Sequence, residues 1–138
     1  MTPISTPRLG ITKTIASNFD AAIESVTAAL KQQGFGVLSD IDVTATLATK
    51  IGAKIEPYRI LGACNPTLAH QALSADRSIG LLLPCNVVVR EVGPGKVEVS
   101  VVDPETLFEL APAEARARVS HLPAEARAKL AAALESLA

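Results

Sequence analysis

The chain has 138 residues, of which 49% are hydrophobic, 20% charged and only 3% aromatic, proportions that fit one globular domain and exclude a disordered or multidomain chain. Thirteen Lys and Arg against fourteen Asp and Glu leave a formal charge of -1. The surplus of cations that a general nucleic-acid binder or an anionic-membrane binder needs is therefore missing. The N-terminal ten residues lack the run of about 7 to 15 apolar residues of a secretory signal. The longest uncharged apolar run, residues 79–89, falls short of the roughly 20 residues that span a bilayer. A cytoplasmic protein is the expectation. Two cysteines, Cys64 and Cys85, are too few for a disulfide framework and form no C-x-x-C pair, so reduced thiols are expected.

In chain order, residues 9–15 alternate apolar and polar types, with Leu9, Ile11 and Ile15 on one side and Lys13 interrupting them, the period of a half-buried strand. Ser17 stands three residues before Asp20 and predicts an N-cap pair for a helix over 18–33. Phe19, Ala22, Ile23, Val26, Ala29 and Leu30 supply its apolar face, and Gly34 its stop. Residues 35–41 predict a second strand. Asp42 then caps a short helix through Val43, Leu47 and Ile51 that ends at Gly52.

Residues 58–64 have the composition of a buried strand that runs directly into a third helix. Asn65 is its N-cap, Pro66 its first residue, and Leu68, Ala69, Ala72 and Leu73 its apolar stripe. Two β-rich runs, 84–91 and 96–102, flank Gly93-Pro94-Gly95 and predict an antiparallel hairpin. Asp103-Pro104 repeats the cap-plus-proline pattern. The remainder, 105–138, is rich in Ala, Leu, Glu and Arg and is segmented into helices by Pro112 and Pro123. In the last helix Ala126, Leu130, Ala133, Leu134 and Leu137 share a face that must be buried on the domain or on a second subunit.

Tyr58-Arg59-Ile60-Leu61-Gly62-Ala63-Cys64-Asn65-Pro66 and Gly80-Leu81-Leu82-Leu83-Pro84-Cys85-Asn86-Val87-Val88-Val89 carry a resemblance to a known family. With Gly34-Phe35-Gly36-Val37-Leu38 and Asp40-Ile41-Asp42-Val43, these segments resemble the prokaryotic family called domain of unknown function (DUF) 302. The resemblance covers about residues 10–103, the α+β core. It leaves 104–138 as a helical C-terminal extension packed on that core or on a dimer partner. Asp40 stands where the family more often has Glu, and the Ala-rich tail is less typical. The family has no settled activity. The resemblance implies a compact single α+β domain over residues 1–138, with an antiparallel sheet packed by helices in a TATA-binding-protein-like fold, and a homodimer. It brings no DNA binding with it, because the charge is near neutral and the aromatic wedges of a DNA saddle are few.

Cys64 falls at a strand end immediately before a helix N-terminus, a place that favours a thiolate, though a small buried hydrophobe fits the same position. Cys85 follows Pro84 at the start of a strand. An antiparallel sheet brings the two cysteines to one edge, whereas a parallel crossover would separate them by roughly 20 Å. His70, six residues after Cys64, is a further soft donor for zinc or copper if it converges with them, yet the spacing matches no metal signature and no metal is assigned. Asn65 has its capping role and an amide that a ligand at the same helix end would meet. Arg59 is either an anion contact or one partner of a surface ion pair. His121 is expected to face solvent.

No phosphate loop, H-E-x-x-H helix or nucleophile elbow is present. The preferred reading is a non-enzymatic dimeric module that binds a small ligand near Cys64, Asn65 and Cys85, with His70 and Arg59 as further candidates. A thiol enzyme or redox sensor using Cys64 and Cys85 is an alternative, and a structural or protein-interaction module is another. No cofactor is indicated, and neither nucleic acid nor membrane is expected as a partner.

Overall fold

The computed structural model describes residue 4 and residues 9–138. Five strands form one antiparallel sheet: β1 (Gly10–Ala16), β2 (Gly36–Asp42), β3 (Tyr58–Cys64), β4 (Cys85–Gly93) and β5 (Lys96–Val102), in the spatial order β1-β5-β4-β3-β2. The alternation anticipated for β1 sets the buried face, and the hairpin strands continue it. Ile11, Lys13 and Ile15 stand opposite Val101, Val99 and Val97, and Val87 and Val89 continue the layer across β4. The five valines are fully buried, each contributing about 1.5–3 kcal/mol relative to exposure. Pro94 and Gly95, the latter at φ +67°, turn the hairpin, as a type II turn requires of its two central residues.

Helix α1 (Phe19–Gln32) buries Ala22, Val26 and Leu30 in the same core and packs across β2, β4 and β5. Its N-cap is Asn18, whose Oδ1 accepts from the Ala21 amide at 2.8 Å. This corrects the Ser17–Asp20 pair: Ser17 instead donates its hydroxyl to the Asn18 carbonyl. The amide side chain stands one residue closer to the helix and takes the cap position first. Helix α2 (Val43–Ile51) is capped by Asp42 and closed by Gly52 at φ +68°, as its sequence predicts, but it buries no residue fully. Strand β2 beside it is equally exposed, with only Val37 half-buried, and it is an edge of the sheet.

Helix α3 (Pro66–Ala75) is followed by a 3-10 helix, Arg77–Leu82, for which no element was anticipated. Six residues are too few to show a helical period, and Ile79 is its single fully buried anchor. The tail forms α4 (Pro104–Phe108), α5 (Ala113–Arg118) and α6 (Leu122–Glu135), divided as the prolines predict. Helix α6 packs on α1, α4 and β1. The stripe of Ala126, Leu130, Ala133, Leu134 and Leu137 is thereby buried within the same chain and leaves nothing apolar over for a second subunit.

Lys13 interrupts the apolar face of β1 for a reason that lies 120 residues away. It is 3% exposed, and its ammonium donates to the carbonyls of Glu135 (3.3 Å) and Leu137, at the end of α6. A cation at a helix C-terminus meets both the orphan carbonyls and the negative end of the dipole. Leu9, grouped with the β1 apolar face from its spacing, lies just before the strand and is exposed. Among the described residues, no helix is long and apolar enough to cross a membrane.

Candidate functional site

A cavity of about 80 Å³ opens where β3 runs out into α3 and β4 begins. Ala63, Cys64 and Cys85 form its sheet side, Leu68 and Ala72 of α3 one wall, and Phe108 and Leu122 of the C-terminal helices another. Apart from the Asn65 amide and the two thiols, every side chain lining it is apolar.

Local backbone rules place its polar end. Asn65 Oδ1 accepts from the Leu68 amide at 3.2 Å and so fixes the start of α3, with Pro66 in the first turn, where its missing N–H is not needed. Gly34 sits behind it at φ +83°, and a Cβ there would lie 3.0 Å from Asn65 Nδ2. Gly62 permits a second close approach: a Cβ on it would stand 2.3 Å from Ser39 Oγ and 2.8 Å from Pro84 Cγ. The chain entering β4 therefore lies tight against β3, with Cys85 directly opposite Ala63 and Cys64 one residue further along.

Both cysteines are free and half-buried. Burial, with a smaller contribution from the neighbouring Cys64, pushes the Cys85 thiol up to about 11. Of the residues singled out from sequence, Cys64, Asn65 and Cys85 meet at this cavity; His70 and Arg59 do not. His70 is on the exposed side of α3, in a separate shallow groove with Ser74 and Arg118. The arrangement of Cys64, Cys85 and His70 as three converging donors is thus not formed. His121 is exposed, as expected, and its Nε2 meets Gln71 Oε1 at 3.2 Å.

Arg59 lies five residues back along β3 from Cys64, about 17 Å at strand spacing. It takes the ion-pair alternative: its Nε donates to Asp40 Oδ1 at 2.9 Å and a second guanidinium nitrogen to Oδ2. That hydrogen-bonded guanidinium holds the Asp40 carboxyl below its ordinary range. The walls from Phe35, Ile79, Phe108 and Leu122 were not singled out from sequence. Their only signal was apolar character, which marks any core residue equally. Among the described residues, no group of three or more His, Cys, Asp or Glu is placed to hold a metal ion.

The sheet order and the helices on its buried face define a single-domain α+β protein built on a five-stranded antiparallel sheet. The chain belongs to the family described as domain of unknown function DUF302, which matches residues 11–137. The crystal structure of an uncharacterized conserved DUF302 protein from Bacillus stearothermophilus is similar, at 30% sequence identity and a TM-score of 0.82. That likeness covers 94% of this chain and 98% of the other. The family match thus runs through the C-terminal helices as well as the sheet. No curated protein matches the chain.

Proposed function

We propose that this domain is a homodimeric cytoplasmic binding module that takes a small ligand into the cavity beside Cys64, Asn65 and Cys85. The observation that carries the reading is a cavity lined, among the described residues, by apolar residues except at Cys64, Asn65 and Cys85. Its volume sets the scale of the ligand. Drug-sized molecules occupy roughly 300–1,000 Å³, and an apolar cavity of about 150 Å³ admits benzene or xenon. The 80 Å³ here suits a guest of one or a few heavy atoms.

Xenon tests the cavity directly. Under xenon pressure, methyl and amide NMR shifts confined to Ala63, Leu68, Ala72 and Phe108 are expected, and Ala72→Leu, which fills the space, should abolish them. Shifts scattered over the surface, or none, would remove the reading.

A thiol redox role is the second reading, favoured by the adjacency of the two cysteines across β3 and β4. It is the weaker of the two, because a buried Cys85 thiol with its pKa near 11 is a poor resolving nucleophile at neutral pH. For the homodimer, support comes from β2 and α2. Among the described residues the outer edge of β2 carries no partner strand, and Leu38, Ile41 and Ile51 are exposed at 72%, 50% and 74%.

A further inference from the structure

We propose that the face of the sheet turned away from α1 and α6 holds a second binding site, for a neutral polyhydroxylated ring such as a monosaccharide. This site shares no lining residue with the cavity beside Cys64, so the two readings stand or fall independently.

Strand alternation and register assemble it. Helices α1 and α6 cover the face that carries Ile11, Val87 and Val99, and the intervening residues point the other way. Thr12 stands opposite Ser100, and Ser100 opposite Val88. In the next row Glu98 stands opposite Arg90, and Arg90 opposite Tyr58. Neighbouring strands are about 4.8 Å apart and the two rows about 7 Å apart, so these side chains share one face within the span of a small ligand. They line a concavity of about 380 Å³, inside the roughly 300–1,000 Å³ range of small-molecule sites. Asn86, exposed, lies at its end, two residues before Val88 on β4.

Charge narrows the ligand. Among the described residues Arg90 is the one cation lining the concavity, and it is already committed. Its Nε donates to Glu98 Oε1 at 2.9 Å and its Nη1 to Glu56 Oε2 at 3.2 Å. Two carboxylates against one guanidinium leave no positive surplus to hold a phosphate or a carboxylate. An apolar guest is equally unsuited, because it would strip water from this ion pair without replacing the hydrogen bonds lost.

A neutral ring bearing several hydroxyls matches what remains. Each ligand hydroxyl both donates and accepts, as do Thr12, Ser100 and the Asn86 amide. The Thr12 and Ser100 hydroxyls are joined at 2.9 Å, which fixes two of these groups side by side across β1 and β5. The Glu98 carboxylate and the Arg90 guanidinium, held by each other, present a planar acceptor and a planar donor to adjacent hydroxyls. Val88, Val102 and the Tyr58 ring supply apolar ground for the C–H face of the ring.

NMR titration of the isotopically labelled full chain with methyl α-glucoside, α-galactoside and α-mannoside, each to about 50 mM, tests the site. At least one should bind with a Kd of about 1–10 mM, with amide shifts confined to β1, β4, β5 and the start of β3. On the wild-type protein, saturation transfer should reach the ring protons of that glycoside, a readout that needs no variant. Ser100→Val and Asn86→Ala should each weaken binding about tenfold with the unfolding midpoint little changed, since neither side chain is fully buried. Ala72→Leu, in the cavity, should leave glycoside binding unaltered. No saturable shift with any of the glycosides, shifts centred elsewhere, undiminished binding in both variants, or inorganic phosphate saturating the same amides at lower concentration overturns the proposal. So do shifts on this face that follow protein concentration alone, which would make it an interface between two copies. The xenon result bears only on the cavity, so failure here leaves that reading standing.

Discussion

Asn65 meets three demands at once: it caps α3, its amide abuts Gly34, and it closes the polar end of the cavity. Asn65→Ala should lower stability by about 0.5–2 kcal/mol, read as a reduced urea midpoint, and an unchanged midpoint would show that the cap contributes nothing. The two thiols differ in what holds them. Burial keeps Cys85 protonated far above neutral pH, so native alkylation at pH 7, read by peptide mass spectrometry, should modify Cys64 first. The same shift has a stability consequence. A cysteine with its pKa raised in the folded state binds a proton there that the unfolded chain gives up near its ordinary value of 9, so stability declines as pH rises from about 9 towards 11. Cys85→Ala should flatten that alkaline limb. Asn65 as a cap was legible because cap chemistry is local, with Asn65-Pro66 announcing a helix start in two residues. The cap of α1 was misplaced by one position because Ser17 and Asn18 are both good caps and only the backbone decides between them.

Among the elements, β1, the β4–β5 hairpin and α1 were legible because each is long enough to display its period. The 3-10 helix Arg77–Leu82 was not, and α2 was legible only from its two ends, Asp42 and Gly52. The link between β1 and α6 was beyond reach of any local pattern. Lys13 looks like a flaw in an apolar stripe until the carbonyls of Glu135 and Leu137 arrive from the far end of the chain. Lys13→Met keeps most of the buried stem and removes the donor, so it should lower stability by about 1–3 kcal/mol and speed amide exchange in the last turn of α6. Faster exchange elsewhere with α6 unaffected would refute the link.

For the whole molecule, residues on adjacent strands with the cysteines between them were foreseeable once an antiparallel sheet was expected. The cavity itself was not, because six of its seventeen lining residues come from the C-terminal helices, whose docking site no spacing encodes. The tail stripe, open in sequence to either the core or a partner, is consumed by the core. The expected homodimer is therefore argued from β2 and α2, and Ile41→Lys should shift sedimentation from dimer towards monomer at tens of micromolar, roughly the range such contacts span; a wild-type monomer there would end the proposal. The place of β1 has one more consequence. Gly10 pairs with Val102, and the carbonyl of Leu137 rests on Lys13, so the first strand and the last residues of the chain are spatial neighbours. The backbone from residue 10 onward nearly closes on itself as a loop: the same contacts would be drawn by a chain opened at the Pro94-Gly95 turn and linked from residue 137 to residue 10.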